Sequence, residues 1–310
     1  MLTRYTMKGV YAIVPTAFKK NGELDEENYR RNIQILCDAG FHGIFSLGSI
    51  GEFPHVGLSD FKRIVKIFVD EVKEGVVSII GASAVNTEEA IIRAKYAQDC
   101  GVDAVMNVVP FYYTLQQKEC VKYFRDLAEA CPDIGILAYD NGYTTKVWLS
   151  YETYKELAKI PNFCGCKDIN PNMLRYMSLI MDTDLQLWAT EEKLIPSMLY
   201  GARGFFLSFY WNNPKLSLEL YEACKNGDWK RAIAIERRLL TVITHPRSPW
   251  KVFGGKYDSH AITKALVNAI GLVHVGPPRR PLIPVSEEDQ KAMRELLIEV
   301  CPDIFPEKPE

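Results

Sequence analysis

The chain of 310 residues carries almost no net charge: 37 lysine and arginine residues face 39 acidic ones, for a formal charge of −2. That balance leaves no electrostatic footprint for nucleic acid or an anionic membrane. No apolar stretch approaches the roughly 20 residues that span a bilayer. Met1-Leu-Thr-Arg-Tyr-Thr-Met7 lacks the apolar run of a secretory signal, so a cytoplasmic protein is expected. There is no CxxC pair and no zinc spacing, although there are eight cysteines. Cys37, Cys100, Cys120, Cys131 and Cys224 fall in helical patterns beside apolar neighbours, and Cys164 and Cys166 point to opposite faces of one strand. They read as reduced, buried small hydrophobes, with neither disulfide nor metal. A glycine-rich dinucleotide turn is also missing: the first strand candidate runs into Pro15-Thr-Ala-Phe18. No low-complexity tract or long linker marks an independent domain.

What is present is alternation. Short β-rich runs are expected at Val10–Phe18, Gly43–Ser49, Val77–Ala84, Ala104–Pro110, Ile134–Asn141, Phe163–Asn170, Leu185–Glu192 and Gly204–Phe209. Between them lie amphipathic patterns such as Asp25–Ala39, Ser59–Lys73, Thr87–Cys100, Leu115–Cys131 and Tyr151–Ile160. Asn86 followed by Glu89 has the spacing of a capping box, and Gly40, Gly101 and Gly227 mark helix ends. The strand candidates are near-continuous apolar runs, as expected where both faces are covered. Eight such units predict an α/β fold, a (β/α)8 barrel over residues 1–227. Helical patterns at Pro214–Lys225, Asp228–Val242, Ser259–Ile270 and Ser286–Val300 complete the barrel and build a C-terminal bundle, residues 228–310, on its side. A proline-rich crossing, Gly276–Pro284, joins the last two.

In such barrels the reactive groups gather at the C-terminal strand ends. Lys167 closes the apolar run Phe163-Cys-Gly-Cys-Lys167. Burial disfavours an ammonium, and a neutral lysine amine attacks carbonyls to form a Schiff base. The plainer alternative is a lysine that snorkels to water. Gly48-Ser-Ile-Gly-Glu52 can fold as a nest whose N–H groups hold a carboxylate, or as an ordinary β-to-α turn. Tyr139 is either a core tyrosine or, beside a Schiff-base lysine, a proton shuttle relayed through Ser49 and Tyr112 or Tyr113. Glu191 and Glu192 are either substrate contacts or favourable acids at a helix start.

Together these residues resemble the dihydrodipicolinate synthase and N-acetylneuraminate lyase superfamily, class I aldolases that act on pyruvate. The motifs are Val14-Pro-Thr-Ala-Phe18, Gly48-Ser-Ile-Gly-Glu52, Tyr139 and Gly165-Cys-Lys167-Asp168, and the resemblance runs from Gly9 to about Cys301. It implies that Lys167 forms the Schiff base, that Tyr139 shuttles protons, and that Ser49 links Tyr139 to Tyr112, which in many relatives enters a neighbouring subunit's site. It further implies a carboxylate held on backbone around Gly48, Ser49 and Ile50, a homotetramer built as a dimer of dimers, and no cofactor.

The departures concern the second substrate. The synthases carry an arginine shortly after the tyrosine, whereas Tyr139 is followed by Asp140-Asn-Gly-Tyr-Thr-Thr-Lys146, with threonine at the arginine's place. Ile50 replaces a hydroxyl residue. Asn141, Lys146 and the aromatic run Phe209-Tyr-Trp211 look more like the hydratase-aldolase branch. Glu191-Glu192 lies where sialic acid lyases hold sugar hydroxyls. The expectation is a Schiff-base lyase that makes or cleaves a C–C bond between a 2-oxo acid and an aldehyde, the aldehyde chosen by residues 140–146 and 209–211. A dihydrodipicolinate synthase with an unusual aldehyde clamp, or a non-catalytic barrel that binds a 2-oxo acid, are the alternatives.

Overall fold

The computed structural model describes residues 3–306. Its strands are β1 (Gly9–Val14), β2 (Gly43–Ser46), β3 (Val77–Gly81), β4 (Ala104–Asn107), β5 (Gly135–Asp140), β6 (Phe163–Asp168), β7 (Gln186–Ala189) and β8 (Gly204–Phe206). Each pairs in parallel with its sequence neighbour, and β8 returns to β1, so the sheet closes into a barrel with helices between the strands. The fold is the expected (β/α)8 barrel. Every strand nevertheless stops before the residue at which its apolar run ends. Ala17, Phe18, Val108, Val109 and Leu207 are fully buried but belong to turns over the barrel mouth. Hydrophobicity records burial there, and burial does not distinguish a strand from a covered loop.

The helices begin where short polar side chains meet unpaired N–H groups. Asp25, Asn86, Ser150, Asn172, Asp228 and Ser286 each accept a bond from the backbone three residues on. The box expected at Asn86 is half formed: its cap bond to Glu89 N is 2.8 Å, but the Glu89 carboxylate turns to Arg93 at 2.6 Å. Gly40, Gly101 and Gly227 follow their helices in left-handed backbone. The helix Met173–Asp182, not singled out from the sequence, starts at Asn172 and brings Arg175 against the barrel.

Alternation along the strands divides the apolar side chains into two layers. One faces the surrounding helices and runs without interruption into the C-terminal segments through Leu239, Leu266 and Met293. The other fills the barrel, where Tyr11, Phe45, Trp188 and Phe206 interlock with ring centroids 4.9–5.9 Å apart. Cys164 lies in the inner layer and Cys166 in the outer one, as their spacing predicts. Burial pushes the thiols of Cys120, Cys131 and Cys164 up to about 11.

The C-terminal segment is tied to the barrel by directed bonds. Asn32 clasps His274 through both its N–H and its carbonyl, Phe18 N donates to Val275 O, and Arg279 N donates to Glu52 Oε2 at 2.8 Å. Among the described residues no helix is long and apolar enough to cross a membrane.

Candidate active site

The mouth of the barrel at the strand C-termini opens into a cavity of about 670 Å³. Lys167, Tyr139, Ser49, Ile50, Asn141, Glu191 and Phe209 all line it. Residues far apart in sequence are thus gathered because parallel strands deliver all their C-terminal ends to one face.

Lys167 is 3% exposed. Its Nζ lies 4.6 Å from the centroid of the Tyr139 ring and 4.9 Å from that of Phe206, above the aromatic floor of the barrel. Tyr139 and Lys167 are direct register partners on β5 and β6, which fixes phenol beside amine. Among the described residues, no carboxylate forms an ion pair with Lys167.

A second lysine in the cavity wall, Lys193, was not anticipated from the sequence. Its Nζ donates to Asp168 Oδ1 at 2.6 Å and Asn170 O at 2.9 Å, and lies 4.3 Å from the Tyr176 ring centroid. The two amines therefore differ: Lys193 is held by acceptors, and Lys167 is held only by rings.

The turn after β2, read from the sequence as a nest or an ordinary β-to-α turn, is held in place by its surroundings. Leu47 and Glu52 bracket it with left-handed backbone, at φ 62° and 56°. Such backbone is uncommon for residues with a Cβ and needs outside support. Gly81 on β3 gives part of it, since a Cβ there would lie 1.9 Å from Leu47 O. Glu52 gives the rest: it is 2% exposed and pairs with buried Lys264 at 2.6 Å. Glu52 N and Phe53 N close the turn on Ser49 O and Gly48 O. Among the described residues, the N–H groups of Ser49 and Ile50 have no acceptor, so they are available to a ligand.

Several expected contacts are placed differently. Tyr112 is 68% exposed and lies outside the cavity, stacked edge-on against Tyr113. Gly48 supports the turn from behind rather than lining the cavity. Glu191 reaches the wall, but its Oε1 accepts from the N–H groups of Ser208, Phe209 and Tyr210, at 2.6, 2.6 and 3.2 Å. Its carboxylate thus holds the turn after β8. Tyr210 and Trp211 are fully buried in the core, which leaves Phe209 alone of that aromatic run at the cavity. Lys146 Nζ donates to Tyr112 O instead of facing the cavity. Thr144 does line it, and among the described residues the buried Oδ1 of Asn141 has no hydrogen-bond partner.

The C-terminal segment completes the wall, which the sequence did not reveal. Trp250 packs edge-on to Phe209 with centroids 4.7 Å apart, and His260 and Thr263 lie beside it. No motif marks these residues; only the docking of helices Pro249–Phe253 and Ser259–Ile270 over the barrel mouth brings them there.

Behind the cavity, Asp140 and Asp168 follow Tyr139 and Lys167 and point outward. Burial and the neighbouring charge of Asp168 push Asp140 up to about 7, against the pull of Arg175. Among the described residues no group of three His, Cys, Asp or Glu side chains is arranged to hold a metal ion.

Comparison with known proteins agrees with the barrel fold. The chain matches the model of the Dihydrodipicolinate synthetase family over residues 6–300. It is 28% identical to a 4-hydroxy-tetrahydrodipicolinate synthase of Methanothrix thermoacetophila, across 94% of this chain and 96% of that protein. A crystal structure of a dihydrodipicolinate synthase superposes with a TM-score of 0.83 at 29% identity, covering 94% of this chain and 99% of the other. A sialic acid aldolase of Ruminococcus gnavus, at 21% identity and covering 98% of both chains, shares the fold with a TM-score of 0.87. A match to the family model over nearly the whole length, on a closed barrel of eight parallel strands, places the chain in the Dihydrodipicolinate synthetase family.

Proposed function

We propose that this protein is a class I aldolase that makes or breaks a C–C bond between pyruvate and an aldehyde through an imine on Lys167. The observation that carries the reading is a buried amine, bound by no carboxylate among the described residues and paired in register with Tyr139. In the proposed reaction, the Lys167 amine adds to the C2 carbonyl of the 2-oxo acid, and loss of water gives a protonated imine. The free N–H groups of Ser49 and Ile50 hold the substrate carboxylate. In cleavage, Tyr139 takes the proton from the C4 hydroxyl, the C3–C4 bond breaks, and its electrons pass to the imine as an enamine. In condensation the enamine attacks the aldehyde carbon, and Tyr139 returns the proton. Ser49, on the same wall, is the proposed link between Tyr139 and a tyrosine supplied by another copy. The exposure of Tyr112 suits that role in a homotetramer.

The aldehyde side of the cavity carries Asn141, Thr144, Phe209, Trp250 and His260. No arginine lines the cavity, which weighs against tight capture of a second carboxylate and so against aspartate semialdehyde. The names of relatives such as the Methanothrix synthase favour that substrate instead, so it is the second reading. Incubation with pyruvate and borohydride, then intact mass and peptide mapping, tests the imine. An adduct on Lys167 is expected; no adduct, or one on Lys193, would refute the mechanism. Turnover of aspartate semialdehyde against sugar-derived and aromatic aldehydes then separates the two readings.

A further inference from the structure

Tyr139 and Lys167 are each followed by an acid, and the register that pairs the first two also pairs Asp140 with Asp168. Because side chains alternate, phenol and amine face the cavity while both carboxylates turn outward. There they meet a single guanidinium. Arg175 Nη2 donates to Asp140 Oδ2 at 3.0 Å and to Asp168 Oδ2 at 2.5 Å, and Nη1 donates to Leu149 O at 2.8 Å. The side chain of Arg175 is 9% exposed and those of the two acids 1% and 0%.

We infer that Arg175 is a positioning residue for the reaction proposed above: by bridging Asp140 and Asp168 it fixes the Tyr139 phenol against the Lys167 amine. Among the described residues Arg175 does not line the cavity, so it acts through the groups it holds, chief among them the two strand ends. Its planar fork reaches two carboxylates and a carbonyl at once, which a lysine ammonium on a flexible stem does not reproduce. Local sequence builds the clamp. Asp168 Oδ1 accepts from Asn170 N, Asn170 Oδ1 accepts from Asn172 N, and Asn172 caps the helix that carries Arg175. Lys193 holds the other side of Asp168, so the two acids face two cations. Tyr154 completes it, its hydroxyl 3.3 Å from Asp140 Oδ2 and its ring under the guanidinium.

The inference rests on the imine reading, and the test separates the two. Arg175→Lys keeps the charge and loses the bridge; Arg175→Met loses both. Displacing reacting groups by about an ångström costs up to roughly 100-fold in rate. Arg175→Lys is therefore expected to lower kcat by about 10- to 100-fold, with KM for pyruvate within about threefold because the nest is untouched. Borohydride should still trap the imine on Lys167, and Arg175→Met should lose at least as much rate. Arg175→Lys with wild-type kcat, or with its loss confined to KM, overturns the assignment. If Arg175→Met does not fold, Arg175→Lys alone decides. A wild-type protein that gives no adduct overturns the imine reading and this assignment with it. A wild-type adduct with unaltered turnover in Arg175→Lys overturns the assignment alone.

Discussion

Replacing Glu52 by glutamine should destabilise the protein in a strongly pH-dependent way. Glu52 and Lys264 are each 2% exposed, with carboxylate and ammonium 2.6 Å apart. Lys264 also donates to Pro277 O at 3.1 Å and lies over the Phe18 ring. Burial pulls its amine down to about 8 while Glu52 opposes that pull. Glutamine keeps the shape and an acceptor for Arg279 N but leaves the ammonium uncompensated. The lysine then stays charged in a dry site or gives up its proton. Giving it up at pH 7 costs about 1.36 kcal/mol for each of the roughly 3.4 units below its reference value, about 4.6 kcal/mol in all. That figure caps the loss and falls within the ~3–5 kcal/mol found for breaking a buried pair from one side.

The sign follows from linkage. A lysine neutral in the folded state and ionised in the unfolded one makes the fold gain stability as pH rises toward 10.4. Wild-type Lys264, at about 8, also loses its proton over this range, so the penalty of Glu52→Gln should shrink by only about 1.4 kcal/mol, from about 4 kcal/mol at pH 7 to about 2.6 at pH 9. Adding Lys264→Met should recover most of it, since well-packed apolar replacements of buried pairs are often neutral. Urea unfolding followed by tryptophan fluorescence at both pH values, at matched protein concentration, measures the wild type and both variants. A loss below about 1 kcal/mol at pH 7, or one independent of pH, would show that the pair does not hold the nest to the C-terminal segment.

Lys167→Ala should abolish both turnover and borohydride trapping while circular dichroism stays native, because it removes the covalent step; residual trapping at Lys193 would contradict this. Tyr139→Phe should keep the trappable imine and lose roughly 10²–10⁴-fold in kcat, and normal turnover would remove the tyrosine from the proton path. Glu236 is pushed up to about 7 by burial. The folded state therefore holds its proton more tightly than the unfolded one, and stability should fall as pH rises from 4.5 to about 7. Glu236→Gln should remove that slope and gain about 1–2 kcal/mol at pH 8, a value discounted for its partial exposure; equal stability at pH 5 and pH 8 in both proteins would refute it.

The sequence by itself determined the barrel, because eight apolar runs separated by amphipathic helices bury both faces of a parallel sheet in few other ways. It also placed Lys167, Tyr139 and Ser49 at one cavity, since parallel strands present every C-terminal end on the same side. Tertiary structure alone decided how polar groups are shared. It turned the Glu191 carboxylate onto backbone amides, sent Tyr210 and Trp211 into the core and Tyr112 to the surface, and brought Trp250 and His260 over the mouth from helices more than eighty residues downstream of Lys167. It also distinguished two lysines that look alike as letters, giving Lys193 the Asp168 carboxylate and leaving Lys167 among rings. A side chain's partner depends on which residues the closed sheet brings within about 3 Å, and that distance is set by packing between segments remote in the chain.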